Sequence, residues 1–139
     1  MEEIRNQTEE QNALPALPPD ASPEAIARYI VTVLDKKKAR NLRLLHTESR
    51  TIIADYFVIA SGSSRTQIKS LGDEVEYRLN LCGIHVLHTE GDGSGGWLLL
   101  DFGAVIVHIF SREAREFYNL EKLYEESSEE DISALLSED

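Results

Sequence analysis

The sequence predicts a single α/β domain: a mixed sheet of about five strands flanked by helices. Three observations carry this. Amphipathic helical stripes alternate with short apolar runs of strand length across residues 22–124. The runs WLLLDF and AVIVHIF, parted by Gly103, read as a hairpin of two strongly apolar strands. A chain of 139 residues, 42% hydrophobic and 28% charged, suits one core and is short for two.

Residues 1–21 are polar, hold Pro15, Pro18 and Pro19, show no periodicity and are expected to form a disordered lead-in. Ser22-Pro23-Glu24 is a helix start, with a side-chain cap, a proline in the first turn and an acid beside it. Ile26, Tyr29, Ile30, Val33 and Leu34 then share one stripe. Lys36, Lys37 and Lys38 close the helix, where their charge suits its negative end. Asn41–Thr47 and Tyr56–Ser61 read as the first two strands. The turn Gly62-Ser63-Ser64 leads into a second helix burying Ile68, Leu71, Val75, Leu79 and Cys82, which Gly83 ends. Ile84–His88 is expected as a third strand, followed by the glycine-rich loop Gly91–Gly96 and the hairpin. A last helix carries Phe117, Leu120, Leu123 and Tyr124, so the domain is expected over residues 22–124. Beyond it, 125–139 reads as an acidic tail in which Ile132, Leu135 and Leu136 could form one exposed helical turn.

The net charge of −11 belongs mostly to the ends. Residues 1–21 carry five acids against Arg5, and residues 125–139 carry seven acids and no base, leaving thirteen of each sign between them. An acidic chain of this kind can still present basic patches to a ribonucleoprotein. The single cysteine, Cys82, excludes an internal disulfide. No apolar run has the length of a membrane span and the N-terminus lacks a signal pattern, so a cytoplasmic protein is expected.

One constellation looks catalytic. Ser61-Gly62-Ser63-Ser64-Arg65-Thr66 joins a strand to a helix, a place suited to an anion, and Ser63, Ser64 and Arg65 are candidates for a phosphate or rRNA contact. The segment lacks the lysine of a phosphate-binding loop and the spaced glycines of a dinucleotide fingerprint. A nucleotidyl-transfer site would need paired carboxylates on the neighbouring strand, and IHVLH has none. A turn and helix cap is the simpler reading, with a nucleotide-binding protein or residual nucleotidyltransferase as the alternative. Cys82, His85 and His88 invite a zinc reading, but strand alternation would put the histidines on opposite faces and no second ligand pair follows. No metal or cofactor is expected. His46 and His108 read as strand residues with satisfied ring nitrogens.

A two-residue turn at Phe102-Gly103 would set Trp97 opposite His108 and Leu99 opposite Ile106; a three-residue turn with a bulge at Gly103 would shift this by one. In the first register Leu98, Leu100, Phe102, Val105, Val107 and Ile109 form an apolar face. Trp97, Leu99, Asp101, Ile106 and His108 form a mixed one. Trp97 suits either a partly buried strand end or a docking anchor, and the glycine loop beside it favours the anchor.

The residues also carry a resemblance. Asp55-Tyr56-Phe57, Gly62 with Ser64-Arg65, Glu90-Gly91, Trp97 with Asp101-x-Gly103, Val107-His108-x-Phe110, Arg115 and Phe117-Tyr118-x-Leu120-Glu121 together resemble the Iojap family, the ribosomal silencing factors. The match spans about Ser22 to Tyr124. The resemblance implies a fold related to nucleotidyltransferases without their metal carboxylates, in a protein that is not an enzyme. It implies binding to the universal protein fourteen of the large ribosomal subunit, a block on small-subunit joining under nutrient limitation, and a homodimer when free. By position, Glu90, Trp97 and Asp101 would meet the ribosomal protein, with Tyr118 a further candidate.

Overall fold

Ser22 accepts a hydrogen bond on Oγ from the Ala25 amide at 3.1 Å, which caps α1, Pro23–Lys36. The computed structural model describes residues 16–47, 54–92, 94–117 and 127–137. Along α1, Ala27, Ile30, Val31, Val33 and Leu34 are buried, with Ile26 and Tyr29 packed at the margin. The helix stops with Lys38 at φ +66°, and the Ala39 and Lys38 amides donate back to the carbonyls of Leu34 and Asp35. This closing pair of bonds usually has glycine in the left-handed place.

Two antiparallel strands follow, β1 (Arg40–Thr47) and β2 (Tyr56–Ser61), with a register irregularity between Arg40 and Arg43. All six residues of β2 are buried, which fits a central strand covered on both sides. Ser64 caps α2, Arg65–Leu81, whose buried face is Ile68, Leu71, Gly72, Val75 and Leu79. Then come β3 (His88–Glu90), β4 (Trp97–Asp101), β5 (Val105–Phe110), the short α3 (Arg112–Phe117) and β6 (Ser127–Glu129).

The sheet has six strands in the order β3-β4-β5-β2-β1-β6, one more than expected. It is antiparallel except between β2 and β5, which run parallel. α1 and α2 cover one face, burying Leu44, Val58, Ala60, Leu98, Leu100, Val107 and Ile109. The other face holds a smaller cluster of Leu45, Phe57, Ile59 and Phe110 with Ala114 of α3, flanked by Trp97 and Ile106.

Three expectations change. The third strand is His88–Glu90, not Ile84–His88; the chain at 84–87 leads up to it, and only the Leu87 amide reaches β4, donating to the Asp101 carbonyl. In the hairpin, Asp101 lies opposite Ile106 and Trp97 opposite Phe110, two residues from the expected register. The Phe102 amide donates to the Val105 carbonyl at 2.9 Å, so the turn residues are Gly103 and Ala104. Gly103 has φ +92°, and a two-residue hairpin turn favours glycine at that first position.

The third change concerns the acidic end. Residues 127–129 pair with β1, Arg43 holds the Glu129 carboxylate through two contacts of 2.8 and 2.6 Å, and Ile132 is buried in the main core. The expected helical turn exists at Ser133–Leu135, but Ile132 points inward and Leu135 packs against the core, while Leu136 is partly exposed. Residues 1–15 of the expected lead-in lie outside the described residues, as do Leu120, Leu123 and Tyr124 of the expected last helix.

Candidate functional site

The pairing of β3, β4 and β5 decides which side chains share a surface. Glu90 lies opposite Leu99, His88 opposite Asp101, Leu99 opposite His108 and Trp97 opposite Phe110. Alternation along each strand then puts His88, Glu90, Trp97, Leu99, Asp101, Ile106, His108 and Phe110 on the sheet face away from α1 and α2. Glu90, Trp97 and Asp101, singled out from the sequence, are thus brought to one surface. Tyr118 lies outside the described residues.

Exposure grades across this surface. Phe110 is buried, Trp97, Leu99, Asp101, Ile106 and His108 are half-buried, and His88 and Glu90 are exposed. The Trp97 and Phe110 rings stack with centroids 6.5 Å apart, and the His108 ring lies nearly parallel to Phe110 at 5.7 Å. The Trp97 Nε1–H is directed at His108 Nδ1 across 3.5 Å. An aromatic block of this kind holds its outermost ring in a fixed orientation, which lowers the entropy cost of contact with a partner.

The polar groups around it have separate tasks. Asp101 accepts the Gly103 amide on Oδ1 at 2.7 Å, which locks the hairpin turn and leaves a carboxylate on the surface. Glu90 Oε1 lies 3.5 Å from His88 Nε2 at the outer edge. Burial lowers the His108 pKa to about 4, with the Glu90 charge pulling weakly the other way, so the ring is neutral near pH 7 and able to accept from the indole. Gly91 passes directly over β4: a Cβ there would stand 2.4 Å from the Trp97 carbonyl oxygen, at a φ of +75°. This glycine is therefore a close-approach residue that lets β3 lie beside Trp97. The surface presents an aromatic and aliphatic strip between two carboxylates.

Ser63, Ser64 and Arg65 do not converge. The Ser64 hydroxyl is spent on the Gln67 amide, and the Ser63 amide donates to the Gln67 side-chain oxygen. Arg65 lines a depression of about 840 Å³ along α2 with Lys69, Asp73 and Tyr77, whereas Ser63 lines a separate cavity on the β1 side. The three histidine and cysteine positions weighed for zinc also part. Cys82 Sγ accepts the Leu17 amide, His85 Nδ1 meets Asn80 Oδ1 at 2.7 Å, and His88 faces Glu90. Sequence reasoning gave no role to Arg115, whose Nη1 donates to both Ser61 Oγ and the Asn41 carbonyl at 2.7 Å. Its position just past an apolar strand was the available signal, but its partners lie 54 and 74 residues away.

Residues 19–139 match the family model described as "Ribosomal silencing factor during starvation". The chain is 35% identical over 101 residues to the ribosomal silencing factor RsfS of Bacillus subtilis, covering 73% of this chain and 86% of that protein. It is 30% identical over 100 residues to RsfS of Haemophilus influenzae, covering 72% and 98%. A mouse protein named mitochondrial assembly of ribosomal large subunit protein 1 is 31% identical over 101 residues, 68% of this chain and 43% of that one. A crystal structure of a Chromobacterium violaceum protein superposes with a TM-score of 0.71 at 28% identity, covering 76% of this chain and 88% of that chain. The family model and these relatives show that the chain belongs to the family of ribosomal silencing factors.

Proposed function

We propose that this protein docks on the large ribosomal subunit at its universal protein fourteen and blocks joining of the small subunit, repressing translation when nutrients are limiting. The observation that carries the reading is the half-exposed strip of Trp97 and Leu99 set between Glu90 and Asp101. Such a strip offers an aromatic anchor for affinity and two carboxylates that orient a basic ribosomal partner. Family membership and the large-subunit name of the mouse relative support the choice of dock. The protein acts by occupying space and is not an enzyme. It is cytoplasmic and exists as a homodimer when free, and any rRNA contact is minor.

Sedimentation with isolated subunits tests this. The protein should travel with large subunits and not small ones, and pre-loaded large subunits should fail to form whole ribosomes. Free mixing of loaded subunits, or migration with small subunits alone, would remove the reading.

A further inference from the structure

At the end of the sheet where β2 and β5 finish side by side, a cavity of about 290 Å³ is lined by Arg40, Asn41, Ser61, Gly62, Ser63, Ser111, Arg112 and Glu113. The carboxyl ends of adjacent parallel strands are where open α/β sheets place their ligands. Its wall is rich in donors. Among the described residues neither Arg40 nor Arg112 has an ion-pair partner, although the chain carries a net charge of −11 and Glu113 lines the same cavity.

Ser61 supplies a second, independent observation. It is 5% exposed, and its Oγ accepts from Arg115 Nη1. A serine hydroxyl that accepts can also donate its own O–H. Lining the cavity, Ser61 can offer that proton to an acceptor bound there. Arg115 is held by the Asn41 carbonyl as well, so the hydroxyl has a fixed position. The irregularity of β1 between Arg40 and Arg43, with Asn41 at φ +52°, lies at this rim, and breaks of this kind re-aim side chains.

We propose that this cavity binds the phosphate group of a small phosphorylated molecule, with Arg40 and Arg112 as its charged clamps and Ser61 as a buried donor. Guanidinium groups match phosphate oxygens in charge and shape, and the hydroxyl completes a donor set that a carboxylate-poor wall leaves open. The volume lies at the small end of ligand pockets and has room for a phosphate or diphosphate group. The lining shares no residue with the strip of Glu90, Trp97, Leu99 and Asp101, and the site stands or falls without that reading.

Titration calorimetry of the full chain at low ionic strength, with inorganic diphosphate and then ADP, decides the matter without ribosomes. Both should bind at a single site. Arg40→Gln with Arg112→Gln, two exposed positions, should weaken both by about a hundredfold while the circular dichroism is unchanged. Arg65→Gln, in the separate depression along α2, should leave both unaltered. Absence of heat with either ligand, or affinity indifferent to the paired arginine change, overturns the proposal. Binding of a short single-stranded RNA without binding of diphosphate also overturns it, because the contact would then belong to a nucleic-acid backbone.

Discussion

Trp97 Nε1 lies 3.5 Å from His108 Nδ1, and both rings stack against Phe110. The indole is thus held from below by one aromatic ring and at its edge by another, while its remaining surface stays half-exposed. Replacing Trp97 by alanine removes the anchor without opening the main core, which lies on the other face of the sheet. Trp97→Ala should fold and lose about 2 kcal/mol or more of large-subunit affinity, read by sedimentation. Undiminished binding by the folded variant would take Trp97 out of the dock.

His108 gives the protein a pH dependence of known sign. Its folded pKa, about 4, lies below the ordinary 6.5 because burial disfavours the charged ring. The unfolded chain therefore takes up a proton first as pH falls, and stability declines between about 6.5 and about 4. Denaturant unfolding across that range should show a loss of up to about 3 kcal/mol. His108→Gln should flatten that part of the profile; an unchanged slope would show that the carboxylates alone set it.

Asp101 has two tasks that two substitutions separate. Asp101→Ala deletes the acceptor for the Gly103 amide and should cost about 1 kcal/mol of stability. Asp101→Asn keeps an oxygen in that place while removing the charge. It should melt close to the parent yet bind large subunits more weakly by about 1–3 kcal/mol, if the carboxylate meets a basic partner.

At Gly91 the difficulty is backbone against backbone. An added Cβ would collide with the Trp97 carbonyl oxygen, and the left-handed φ adds strain of its own. Gly91→Ala should lose about 2 kcal/mol or more in thermal or urea unfolding. It should also weaken subunit binding by displacing Glu90.

Ile132 tests whether the acidic end belongs to the folded body. Buried to 8% exposure against the main core, it should cost about 2–4 kcal/mol when cut to alanine. A change of a few tenths would mean that the segment contributes little to the core.

The two faces of the hairpin were legible in the sequence even though its turn was not. The observed register differs from the expected one by two residues, and because side chains alternate with a period of two, such a slip returns every residue to its own face. Leu98, Leu100, Val105, Val107 and Ile109 therefore keep to the core, and Trp97, Leu99, Asp101 and His108 to the open face. The third strand was misplaced for a physical reason. Ile84–Leu87 is the more apolar stretch, yet Leu87 is 72% exposed, while the ladder forms on the exposed residues His88–Glu90, where β4 offers partners. β6 was illegible because Ser127-Ser128-Glu129 carries no hydrophobic alternation. Its place depends on backbone bonds to β1 and on Arg43, both set by residues far away in sequence. The arginine-lined cavity was hidden similarly, since Arg40 and Arg112 meet only after β1 and β5 have been arranged around β2.

The position of β6 also orders events during synthesis. β1 leaves the ribosome before the other described strands, but the strand that covers its outer edge is made much later, with Glu129 following Arg43 by 86 residues. Until then β1 has an unpaired row of amides and carbonyls on that side, and the pocket for Ile132 between α1 and the sheet stands open. The nascent chain is thus exposed to pairing with a neighbour until β6 has been made, and the arrival of β6 closes that edge.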